Sequence, residues 1–240
     1  GALPAPISIR TGDAIELLEG SRVTISGTVT GFASDVADGI SVTIDDGSGP
    51  VRVIAAHAPA GMTSGARVVA TGPLGQRDSS GTGTAGYRVY AMQAADLEVL
   101  PTASPTPSPS TGPSVSPSAS PPGSASPSPS ASASASPSPS PSPSASPSPS
   151  EAPVISIAAA RGLPIGSASH VRGVVIAEMG RVGSSLVSIQ DDSGGIAVHL
   201  PAGATAPARG EVLDVVGDLA APYGQAEVRP IVATWRTDGS

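Results

Sequence analysis

Between about Pro101 and Pro153 the sequence is almost only Ser, Pro, Ala, Thr and Gly, and no single core can run through it. Such side chains bury too little apolar surface to offset the entropy of ordering the chain. The tract is therefore expected to be a disordered linker, biased by proline toward extended polyproline II at about 3.1 Å per residue. The 240 residues divide into a first domain over 1–100, a linker over 101–153 and a second domain over 154–240. Ser/Pro-rich stalks suit an extracellular or cell-surface setting, and a plain spacer is preferred here over a PxxP ligand.

The two flanks repeat one another. One opens Ile7-Ser8-Ile9 and the other Ile155-Ser156-Ile157, and a short helical or turn segment then ends at Gly20 or Gly166. A second glycine follows at the same spacing in each, Gly27 and Gly173, and the spacing returns as Gly65 to Gly72 and Gly210 to Gly217. Between them Ile44-Asp45-Asp46-Gly47-Ser48-Gly49-Pro50-Val51 aligns without a gap on Ile189-Gln190-Asp191-Asp192-Ser193-Gly194-Gly195-Ile196. Period-two alternation marks strands around Val23 to Val29, Val42 to Ile44, Val51 to Val53, Val187 to Ile189 and Ile196 to Val198. The Asp/Ser/Gly clusters between them are hairpin turns. Val68-Val69 and Val212 to Val216 supply a fourth strand, and Tyr87 to Met92 and Ala226 to Val232 a fifth. Five short, twisted strands with glycine inside the first predict a small closed barrel in each flank. The segments Ala55 to Ser64 and Pro201 to Ala208 contain Pro and Gly and are expected to be loops, and Gly75 to Gly86 lengthens the last hairpin of the first copy.

Leu163-Pro164-Ile165-Gly166, Val171-Arg172-Gly173, the stretch from Ile189 to Val198, Arg209-Gly210-Glu211-Val212, Val216-Gly217 and Tyr223-Gly224-Gln225 occur in order. This series resembles the OB-fold domains found beside nuclease, phosphoesterase and lamin-tail modules in secreted bacterial proteins. The first copy matches more loosely, with Asp45 where the second has Gln190 and Pro50 where it has Gly195. The resemblance implies an all-β chain of two five-stranded Greek-key barrels of OB type. It also implies nucleic-acid or oligosaccharide binding, and a linked catalytic domain if the chain belongs to a longer protein.

The residues themselves give no sign of an enzyme. His57, His170 and His199 lack partners at metal-ligand spacing, and no P-loop, nucleophile elbow or HExxH occurs. No metal or cofactor is expected, and Asp45-Asp46 and Asp191-Asp192 are read as turns because calcium-loop spacing is absent. The chain has no cysteine, and no apolar run approaches a membrane-spanning length. The start, Gly1-Ala2-Leu3-Pro4, is not a leader, so an exported form is expected to have shed its signal or to carry it elsewhere.

Net charge is −7, with 12 basic residues, all arginine, against 19 acids. A polyanion is repelled unless arginines segregate onto one face, for which Arg52, Arg88, Arg172 and Arg181 are the candidates. The outward strand positions Ser41, Thr43, Arg52, Ser188, Gln190, Ala197 and His199 carry no aromatic for base stacking. Aromatics lie instead near the last hairpins. Tyr87, Tyr90 and Tyr223 are candidate ligand contacts; Tyr223 is more readily seen packing over its turn, and Trp235 capping the barrel. Three readings stay open: a surface spacer with the barrels as beads, a single-strand-binding accessory module, and a carbohydrate- or protein-binding module.

Overall fold

The computed structural model describes residues 1–36, 39–78, 80, 82, 85–101, 153–231 and 236–238. The Ser/Pro tract from 102 to 152, Trp235 and parts of the insertion after Gly75 lie outside the described residues.

The first barrel is built from β1 (Ile7–Ser8), β2 (Arg22–Val36), β3 (Gly39–Asp45), β4 (Val51–Ala55), β5 (Arg67–Gln76), β6 (Tyr87–Ala91) and β7 (Leu97–Val99). The sheet runs β1-β2-β3-β4-β6-β5-β7, and β2 pairs again with β5 to close a five-stranded barrel. The third and fifth strands of that barrel, β4 and β6, run parallel, so the chain must cross over between them. This strand order is that of the OB fold.

The second barrel repeats the plan. A short helix α1 (Ile157–Arg161) precedes β8 (Ala168–Ala177), β9 (Leu186–Asp191), β10 (Gly194–His199), β11 (Val212–Ala220) and β12 (Glu227–Pro230), with β13 (Arg236–Asp238) at the edge. β10 and β12 are the parallel pair, and β11 closes the ring through β8 and β12. The segments after β4 and β10 are turns, as their Pro and Gly content predicts.

The repeated glycines have one structural cause. A methyl on Gly27 would lie 2.8 Å from the Asp45 carbonyl carbon, and one on Gly173 would lie 3.0 Å from that of Gln190. Methyls on Gly72 and Gly217 would collide with the carbonyls of Tyr90 and Arg229. These are the points where the first and fourth strands press against neighbours to close a narrow barrel. Gly20, Gly166, Gly65 and Gly210 all turn with φ between +78° and +90°, the left-handed region that a side chain disfavours.

Both cores are aliphatic. Val23, Ile25, Val42, Ile44, Val53, Val68, Leu74 and Val89 fill the first, and Val171, Val175, Ile189, Ile196, Val198, Leu213 and Val228 the second. Burying each such side chain contributes roughly 1.5–3 kcal/mol, which lets small barrels close without large aromatics. The aspartate clusters lock each barrel to its own N-terminal segment. Asp46 and Ser48 accept the N–H groups of Thr11 and Gly12, and Asp191 and Ser193 those of Ile157 and Ala158. Hydrogen bonds from the Ser48 hydroxyl and amide hold the Asp46 carboxyl well below the usual carboxylate range. These acids are turn builders, and among the described residues no group of three His, Cys, Asp or Glu side chains is placed to hold a metal.

The barrels do not stand apart as beads. Residues 1–102 and 147–240 form one compact unit.

Candidate functional site

In an OB barrel the outward face of the second and third strands, extended by the fifth, is the surface open to a ligand. In the second barrel that face is already covered. Val187, Ile189, Ile196 and Val198 point into the core, so Ser188, Gln190 and Ala197 point out, yet each is 5% exposed or less. The cover over Gln190 and Gly195 is the first barrel's segment from Glu19 to Arg22. The Arg22 amide donates to Gln190 Oε1 at 2.7 Å, and a methyl on Gly195 would collide with the backbone of Gly20 and Ser21. Only glycine at 195 permits this backbone-to-backbone approach.

Polar groups line the rest of the seam. Arg161 at the end of α1 reaches across to the carbonyls of Glu16 and Glu19 at 2.7 and 3.2 Å and to Glu16 Oε1 at 2.8 Å. Glu19 is 1% exposed; its Oε2 accepts the Ala226 N–H at 3.2 Å and lies 3.5 Å from Arg161. Arg209 donates to Asp96 at 3.4 Å. Beside these lies an apolar contact, in which Ile54, Tyr90 and Met92 of the first barrel pack on Val182 of the second.

The first barrel's outward face is the more open. Arg52 on β4 is exposed and pairs in register with Arg88 on β6. Arg88 is half-buried, and its Nη2 donates to the Arg77 carbonyl at 3.4 Å. Burial holds the Arg88 guanidinium below its ordinary value, and Arg52 and Arg77 push in the same direction while Tyr90 opposes them. Among the described residues none of Arg52, Arg77 and Arg88 has a carboxylate within ion-pair distance. Three like charges therefore share one face of an acidic protein.

The expected patch is thus partly assembled. Arg52 and Arg88 come together, joined by Arg77, which pattern reading missed because its place depends on the pairing of β5 with β6. Arg172 sits elsewhere, on β8 of the second barrel opposite Asp214, whose Oδ1 lies 2.6 Å from His170 Nε2. Arg181 lies in the loop after β8, 3.9 Å from Glu178. His199 is half-buried at the end of β10 rather than on an open strand face.

The three tyrosines part ways. Tyr90 shares the outward face of β6 with Arg88, its ring lying over Gly75, and is 8% exposed beneath the second barrel. Tyr87 donates its hydroxyl to Glu16 Oε2 at 3.3 Å; burial, reinforced by Glu16, raises it to about 12. Tyr223 corrects the expectation that it packs over its turn. It is 81% exposed, because a φ of +57° at Tyr223 followed by +87° at Gly224 swings the ring outward. A bulky residue held there is strained by roughly 1–2 kcal/mol.

No family model and no curated protein matches the chain. Among solved structures it is similar to the hypothetical protein ygiW from E. coli, at 19% identity over 36% of this chain and 91% of that one, with a TM-score of 0.30. The tetrameric p202 HIN2 structure is 8% identical, covering 91% of this chain and 94% of its own, with a TM-score of 0.32. A murine DNA-binding protein bound to double-stranded DNA is 9% identical over 90% of this chain and 99% of that one, with a TM-score of 0.31.

Proposed function

We propose that this chain is a non-catalytic, extracytoplasmic accessory module whose first barrel binds single-stranded nucleic acid through Arg52, Arg77 and Arg88. The observation that carries the reading is the clustering of these three arginines on the outward face, with no carboxylate at ion-pair distance among the described residues. A like-charge cluster on a half-buried surface is stabilised by an external anion, and a phosphate backbone supplies one at each step. The net charge of −7 opposes a polyanion on average, but a local patch overrides an average at contact distance. A spacer in which two separate beads extend reach is less well supported, because the barrels are packed together. The Ser/Pro-rich composition of the tract supports a place outside the cytoplasm. A second reading, glycan binding, is favoured by one observation only, the outward Tyr223 ring.

The test is fluorescence anisotropy of a labelled single-stranded oligonucleotide against the full chain at low and physiological salt. Three phosphate contacts predict a slope of log affinity on log salt of about −2. Replacing Arg52 and Arg88 together by alanine is expected to weaken low-salt binding at least about tenfold and to bring the slope nearer −1. Absence of binding at low salt, or a double variant that binds like the parent, overturns the reading. Oligosaccharide binding lost in Tyr223→Ala would put the glycan reading in its place.

A further inference from the structure

The seam between the barrels is rich in polar groups and incompletely satisfied by protein partners. Of the five buried side-chain atoms without a hydrogen-bond partner among the described residues, three lie in it: Glu19 Oε1, Arg22 Nε and Arg209 Nε. Such atoms weigh against closure, because burial leaves them without a protein hydrogen-bond partner. Its apolar contact is made by Ile54, Tyr90, Met92 and Val182, with Pro73, Ile176 and Ala177 beside it. An interface made this way is poised to be tipped by a single group.

Glu19 is that group by position. Its own turn supplies Glu16, which is half exposed; α1 of the other barrel supplies Arg161; β6 supplies Tyr87, bonded to Glu16. The second barrel's loop supplies the Ala226 N–H, and the neighbouring Glu227, 2% exposed, is occupied by Arg229 at 2.6 Å. With Glu19 ionised, a buried carboxylate and the half-exposed Glu16 share one guanidinium, that of Arg161. With Glu19 neutral, Arg161 is matched by Glu16 alone.

We propose that the seam is a proton-operated clasp, closed when Glu19 is neutral and loosened when it ionises, whose release uncovers Tyr90, Ile54 and Met92 beside the Arg52–Arg88 patch. The clasp stands on the seam itself; its bearing on a ligand rests on the reading of the first barrel above. Burial, reinforced by Glu16, pushes the Glu19 carboxyl up from 4.5 to about 7 in the closed form. The closed form therefore binds the proton more tightly than the released one. Closure is fully supported below the released value and loses that support as pH rises through about 7. Between pH 5.5 and 8 the ratio of closed to released chain is expected to fall on the order of tenfold.

Hydrogen exchange of the full chain tests this at two amides, Arg22 and Ala226, which donate across the seam to Gln190 Oε1 and Glu19 Oε2. Their protection factors, corrected for intrinsic exchange, are expected to drop about tenfold from pH 5.5 to pH 8, while core amides such as Val198 hold. Glu19→Gln cannot ionise and is expected to keep Arg22 protected at both pH values. Gly195→Ala wedges the seam and is expected to leave both amides poorly protected at either pH. Because the first barrel carries Pro50 at the matching position, a side chain there is compatible with the barrel itself. Wild-type protection that does not change with pH overturns the clasp, as does Glu19→Gln losing protection as the parent does. Oligonucleotide binding is read separately: the expected protection pattern without any binding keeps the clasp and overturns the ligand reading.

Discussion

The hairpin between the second and third strands of each barrel is built from aligned residues and lives in two different environments. In the first barrel it is exposed: Asp45 Oδ1 takes the Gly47 N–H at 2.7 Å, and Pro50 ends the turn in solvent. In the second, Gln190 replaces Asp45 and turns its amide oxygen to the other barrel, and Gly195 replaces Pro50 and lets two backbones meet. The serine lock is the same in both, with Ser48 accepting from Gly12 at 2.9 Å and Ser193 from Ala158 at 3.0 Å. What the copies keep in common builds the barrel; these two differences build the seam. Conversely, the first copy pairs Arg52 with Arg88 in register where the second pairs Ala197 with Glu227, and the seam leaves the outward face of the first more open.

The comparison can be broken most forcefully in the cores. Ile44→Ala and Ile189→Ala occupy aligned, fully buried positions and are each expected to cost about 2–5 kcal/mol in urea unfolding. Equal losses would mark the cores as equivalent; a loss confined to one copy would show that the barrels are not energetically alike. The seam gives the next largest effect. Gly195→Ala is expected to cost about 1–3 kcal/mol by overpacking, whereas Pro50→Ala at the aligned site is expected to stay within about 0.5 kcal/mol. A Gly195→Ala chain as stable as its parent would place the close approach outside the energetics of folding. The smallest effect should be shared by both copies. Ser48→Ala and Ser193→Ala each remove a hydrogen bond to the N-terminal segment and are expected to cost about 1 kcal/mol apiece. Unequal values would locate a difference in the locks that the geometry does not display.

Much of the candidate site was legible in pieces. Arg52 follows from strand periodicity, since a residue between the core valines Val51 and Val53 must face outward, and Arg88 follows likewise from its place between Tyr87 and the core residue Val89. Their adjacency follows only from the parallel pairing of β4 with β6, which joins residues 36 apart and leaves no local mark. Arg77, Glu19 and Arg161 carry no motif at all; their roles come from where distant surfaces meet. Tyr223 misled for the opposite reason, because an aromatic in a core poor in aromatics invites burial, and only its φ of +57° turns it out.

Local chemistry determined the two barrels: alternation fixes which side chains are buried, Asp-x-Ser turns set the hairpins, and glycine recurs where a closing strand leaves no room for a methyl. Tertiary structure alone decided that the second barrel's outward face is a seam, while the first barrel's is covered at Ile54 and Tyr90 and stays accessible at Arg52 and Arg88. Ser188, Gln190 and Ala197 are small or polar and suit water and a polar interface equally well, so periodicity cannot tell the two apart. The choice depends on shape and charge matching between Arg22 and Gln190, or Glu19 and Arg161, pairs more than a hundred residues apart, and no local pattern encodes a contact at that separation.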